Sequence, residues 1–237
     1  MFGYNTLGFG SIAGTAGPSG LNFIVEGAVV TRGSGTYTGV SIGTAYTNRM
    51  VVLQGEYNSS ASTASPTAVT IGGISAGLVR NAGNYVAYAK VPTGTTATIV
   101  ITGGDGCRTQ IYTLNTVNTA PTQTSVQSTS VPANTSRTLT MTQNPVDTEG
   151  VFFWGMYANS AHPGDPLEGG TGLSTSNANG VTIRSSLGVP NSTSYYSAIG
   201  YSECTTTDSR YVRTTCVNNP GKGAGNLYST FAYFQEE

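Results

Sequence analysis

From Leu21 onward the chain alternates apolar and polar residues in short runs, each closed by Gly, Pro, Asn or Ser. Alternation with period two belongs to a strand that buries one face and wets the other. Runs of this kind occupy 22–31, 37–42, 48–57 (NRMVVLQGEY), 68–71, 77–79, 84–91 (NYVAYAKV), 96–102 (TATIVIT) and 108–114. They resume at 137–141, 150–157 (GVFFWGMY), 181–185, 194–202, 210–217 and 226–234 (NLYSTFAYF). The pair Gly72-Gly73 suits a tight hairpin, and Pro92-Thr93-Gly94 breaks a strand. No helical period persists beyond about two turns.

The pattern predicts an all-β fold, a large antiparallel jelly-roll-like β-sandwich over 21–237, with strands at the spacing of a sandwich or barrel. Two stretches leave the organisation open. Residues 115–130 are almost purely Thr, Asn, Gln, Ser, Val and Pro. They read as a long connection within one sandwich or, alternatively, as a linker between two immunoglobulin-like sandwiches split near 119–130. Residues 158–180 read as an exposed excursion rich in Gly and Pro. The run 150–157 carries the only Trp, Trp154, and is apolar on both faces. It is therefore expected at the centre of a sheet, covered on one side by a second sheet and on the other by a loop or a neighbouring subunit.

Residues 1–20 stand apart as an N-terminal arm. Glycines there alternate with Phe2, Tyr4, Leu7, Phe9 and Ile12. So short a segment cannot bury its own apolar groups, so these five side chains are expected to dock on a partner or on the chain's own body.

Charge narrows the picture. Only 9% of the 237 residues are Asp, Glu, Lys or Arg, and the formal net charge is −1. The polar surface must come from Thr, Ser, Asn and Gly. A surface so bland offers no footprint for nucleic acid and little repulsion between copies, which suits a protein that works in an assembly. No basic segment precedes an apolar run at the start and no apolar run is long enough to span a bilayer, so neither a secretory signal nor a membrane segment is expected. The sequons at Asn58, Asn134 and Asn191 carry little meaning without secretion. The three cysteines, Cys107, Cys204 and Cys216, are odd in number and lack metal-ligand spacing; Cys204 and Cys216 could bridge only if their strands are neighbours.

Catalytic chemistry finds little support. His162, the only histidine, has Asp165 and Glu168 nearby but no second histidine or nucleophile. Asp147, Glu149, Asp165 and Glu168 lack the pattern of a calcium loop. The glycine-rich 103–106 and 221–225 precede strands, whereas a phosphate loop opens a helix. A non-enzymatic protein without cofactor or metal is expected. The aromatic residues Tyr195, Tyr196, Tyr201, Tyr211 and Tyr228 are the remaining candidates, as glycan-stacking or interface rings.

Three segments carry a family resemblance: GTAYTNRMVVLQGEY (43–57), TAVTIGGISAGLVR (67–80) and YVAYAKVPTGTTATIVITGG (85–104). With Asn48-Arg49, the hairpin at 69–73 and the turn at 91–95, they resemble an uncharacterised structural protein family of tailed-bacteriophage and prophage virions. The LGFGS start at 7–11 and the strand at 151–157 after Val131-Pro132-Ala133 are similar to it as well. The resemblance implies a virion protein assembled in the bacterial host cytoplasm: a head decoration or fibre, or a neck or tail component. Its implied partners are other virion proteins and further copies of itself. The alternative it leaves is a receptor- or glycan-binding fibre module that meets a host surface glycan.

Overall fold

The computed structural model describes residues 21–23, 33–57, 65–104, 107–132, 136–143, 150–159, 173–178, 182–186, 189–192, 195–204, 210–217 and 225–235. Every regular element among them is a strand. The first nine are β1 (Leu21–Phe23), β2 (Gly35–Ser41), β3 (Arg49–Tyr57), β4 (Pro66–Ile71), β5 (Ile74–Ser75), β6 (Gly77–Asn81), β7 (Asn84–Lys90), β8 (Thr96–Gly103) and β9 (Cys107–Asn115). The remaining nine are β10 (Gln123–Val131), β11 (Ser136–Gln143), β12 (Gly150–Asn159), β13 (Leu173–Ala178), β14 (Thr182–Ser186), β15 (Val189–Ser192), β16 (Tyr195–Cys204), β17 (Arg210–Val217) and β18 (Gly225–Gln235).

The expected strands are present wherever the chain is described; four more, β5, β10, β13 and β15, fall outside the expected runs, and two of these are corrections to expected loops. Residues 123–131, expected within a connection or linker, form β10, whose Thr, Ser and Val suit an edge strand. Residues 173–178, expected within an excursion, form β13. Both are drawn into pairing by neighbours, β10 by β18 and β13 by β17, and not by an apolar pattern of their own. The arm at 1–20, with Phe2, Tyr4, Leu7, Phe9 and Ile12, lies outside the described residues.

The strands make four antiparallel sheets. An outer N-terminal sheet has the order β2-β8-β4-β5, and an inner N-terminal sheet the order β1-β9-β3-β7-β6. An inner C-terminal sheet runs β10-β18-β12-β16-β14, with β15 also on β16, and an outer C-terminal sheet runs β11-β17-β13. Strands β1–β9 fill the first two sheets and β10–β18 the other two; among the described residues no ladder crosses between them. The inner sheets face each other, β3 against β12 and β16, and β7 against β12 and β18. The four sheets therefore stack as layers. The strand orders establish an antiparallel sandwich; jelly-roll topology, the finer expectation, is not established by them. In the N-terminal half the consecutive strands β3 and β4 lie in opposite sheets, as do β7 and β8, while β3 pairs with β7 and β4 with β8. Two such crossing pairs interlock the inner and outer sheets.

The C-terminal half repeats this plan. Raising each strand number by nine converts β1-β9-β3-β7-β6 into β10-β18-β12-β16-β15, and β2-β8-β4 into β11-β17-β13, each as observed. One strand departs: β5 hairpins with β4 in the outer sheet, whereas β14 has moved to β16 in the inner one. The chain is thus two copies of one sandwich plan, packed through equivalent sheets.

Alternation fills the spaces between layers. Val51 and Leu53 of β3 point outward to Val69, Ile71, Ile99 and Ile101. Met50 and Val52 of the same strand point inward with Tyr112 and Leu114, against Val151, Phe153, Tyr201, Ala232 and Phe234 of the other half. Rings dominate this central core: Phe153 sits edge-on to Phe234 at 5.9 Å, and Tyr88 edge-on to Phe234 at 5.4 Å. On the other face of β12, Phe152 lies tilted against Phe231, centroids 4.5 Å apart, and Trp154 is fully buried. Strand β12 is central, as expected. Both of its faces, however, are covered by sheets of its own chain: the inner N-terminal sheet on one side, and β17 of the outer C-terminal sheet on the other.

Arg49 ties the loops to this frame. Its fully buried guanidinium donates Nε to the Val91 carbonyl (2.6 Å), Nη1 to Ile42 (3.2 Å) and Gly43 (2.8 Å), and Nη2 to Thr93 (2.7 Å) and Gly94 (2.8 Å). All five N–H groups are used, which only the planar fork of arginine allows. Burial lowers the pKa of this group, while the Tyr46 phenol raises it. Arginine remains charged, held by carbonyl dipoles. The Asn-Arg pair at 48–49 and the turn at 91–95 are therefore one device, joined in space.

Glycines opposite tyrosines shape the inner N-terminal sheet. Gly55 pairs with Tyr85 and Gly77 with Tyr88, and a Cβ on either would lie 1.9 Å or 2.2 Å from the ring. Each tyrosine thus lies across a glycine backbone, where any larger residue displaces it.

Substitutions at two positions test this packing. Trp154→Ala is expected to cost about 3–5 kcal/mol, read as a lower thermal midpoint. Arg49→Met strands carbonyls of two loops and is expected to cost about 3 kcal/mol. Arg49→Lys should recover only part of that in urea unfolding, because one ammonium has three donors.

Candidate functional site

The tyrosines expected to cluster do not form one site. Tyr201 is fully buried in the central core, its ring 5.6 Å from Tyr112 and 6.3 Å from Phe153. It is corrected from surface ring to core ring: it stands opposite Phe153 in the β12–β16 ladder, under the inner N-terminal sheet. Tyr195 and Tyr196 hold register positions opposite Asn159 and Ala158, at the far end of the same ladder. Tyr228 belongs to that end too. It is half-buried and stacked on the buried Tyr157, centroids 5.9 Å apart. Tyr211 stands in another sheet, opposite Thr142 and Ala178. Strand β17 begins just after β16 has finished at Cys204, so Tyr211 enters at the end away from Tyr195. Register thus gathers Tyr157, Tyr195, Tyr196 and Tyr228 at one end of the inner C-terminal sheet and disperses the others.

Cys204 and Cys216 lie on β16 and β17, in different sheets, with Cys216 six residues beyond the start of β17. That places it on the order of 20 Å along the strand from the end nearest Cys204, so the condition of neighbouring strands is not met. His162, Asp147, Glu149, Asp165 and Glu168 lie outside the described residues. Among the described residues no group of three His, Cys, Asp or Glu could hold a metal ion, and no helix is long and apolar enough to cross a membrane.

The seam between the halves holds polar residues that the sequence did not single out. Gln54 occupies an inward position on β3, in register with the apolar Met50 and Val52. Its Nε2 donates to the carbonyls of Trp154 (2.8 Å) and Gly200 (2.9 Å), which face each other across β12 and β16. Asn81 closes β6, and its Nδ2 donates to Gln127 (2.7 Å) and Ser229 (3.2 Å), a facing pair on β10 and β18. The turn after it is left-handed, with φ of 41° at Ala82 and 94° at Gly83. Such a turn suits the twist of a two-residue hairpin but strains an alanine. The Gly83 amide donates to Ser65 Oγ at 2.9 Å and fixes the turn in place. Deeper in, Tyr85 and Thr109 share a 2.6 Å hydroxyl bond. The Tyr112 hydroxyl donates to Gln110 Oε1. Burial, followed by the Tyr201 phenol and the Glu56 carboxyl, pushes the Tyr112 phenol far above its ordinary range, so it stays a neutral donor. The only early signal of this seam was a glutamine where alternation demanded an apolar residue.

This arrangement positions: Gln54 and Asn81 donate to backbone carbonyls of the other half. Gln54→Leu removes two bonds between halves, worth about 1 kcal/mol each. It should lower the urea midpoint of one shared transition and leave the circular dichroism unchanged. Gln54→Glu should be worse, because it brings a carboxylate against two carbonyls. A Leu variant as stable as the parent would show the bridge to be idle. Compared with family models, with curated proteins and with solved structures, the chain has no match in any of the three.

Proposed function

We propose that this protein is a non-enzymatic structural component of a tailed-phage virion, a head decoration or fibre or a neck or tail part, joined to its neighbours through the arm at 1–20. The observation that carries this reading is how buried polar groups are used. Arg49, Gln54 and Asn81 all spend their donors on backbone carbonyls, tying loops to sheets and one half to the other. A frame so committed to its own rigidity suits a part that bears contacts. The low charge and the resemblance of 43–57, 67–80 and 85–104 to virion proteins support the same reading.

A second reading, a glycan-binding fibre module, draws on the end of the inner C-terminal sheet, where Tyr228 stacks on Tyr157 beside the register positions of Tyr195 and Tyr196. One half-buried ring is a smaller platform than sugar stacking ordinarily uses, so the structural reading is preferred.

Deleting residues 1–19 discriminates between the readings. The truncated protein should keep its thermal midpoint and fail to enter particles, as measured by protein content of purified virions. Normal incorporation would overturn the role of the arm. Loss of host-cell or glycan binding on Tyr228→Ala, with incorporation intact, would favour the fibre module.

A further inference from the structure

We draw no further inference here: the strongest candidate, the uncharged and largely exposed loop cluster at 92–95 and 117–122 beside the buried Arg49 guanidinium, carries none because nothing in the structure shows what covers it.

Discussion

Strands β3 and β12 are apolar on both faces, and the rest of the molecule follows from covering them. Val51 and Leu53 look one way along β3 while Met50 and Val52 look the other. Val151 and Phe153 look one way along β12 while Phe152 and Trp154 look the other. A sheet with one apolar face is content with one cover; a sheet with two needs two. Each inner sheet takes its own outer sheet as one cover and the other inner sheet as the second. Removing either half would bare the ring cluster of Tyr112, Phe153, Tyr201 and Phe234, which the surface of a soluble protein rarely tolerates.

Apolar burial does not by itself select one arrangement, since sheets can slide on a greasy interface. The polar residues at the seam remove that freedom. Gln54 reaches a particular pair of carbonyls across β12 and β16, and Asn81 reaches another pair across β10 and β18. Gly155 leaves the room that Asn84 fills, since a Cβ there would lie 3.1 Å from the Asn84 Cβ. Arg49 does for the loops what these residues do for the sheets, holding the carbonyls of Ile42, Gly43, Val91, Thr93 and Gly94 on one guanidinium. Directed hydrogen bonds of this kind fix a register more than they add stability.

The repeated plan bears on how the molecule meets others. Within the chain, two copies of one sandwich join face to face through their inner sheets. Among the described edge strands, β2 and β14 slip register, and β6 and β11 each carry an arginine. A protein with so little charge relies on backbone geometry to decide which edges stay closed.

The sequence alone determined the β class, most strand positions and the centrality of β12, because alternation and turn residues act over a few neighbours at a time. It also marked Asn48-Arg49 and the turn at 91–95, though not that one residue clasps the other segment. Strands β10 and β13 were illegible because their Thr, Ser and Asn carry no apolar alternation; partners made them strands. The repeat was hidden for a related reason. Strands β3 and β12 share Val, Gly and Tyr at the same spacing (Val51, Gly55, Tyr57; Val151, Gly155, Tyr157), yet Val51 faces its own outer sheet while Val151 faces the opposite half. Letters that match therefore lie on opposite faces, since a slip of one residue reverses a strand. Tyr201 was placed at the surface on composition and proved to be core. Which face of a strand is buried depends on which sheet lies over it, and only the tertiary structure decides that.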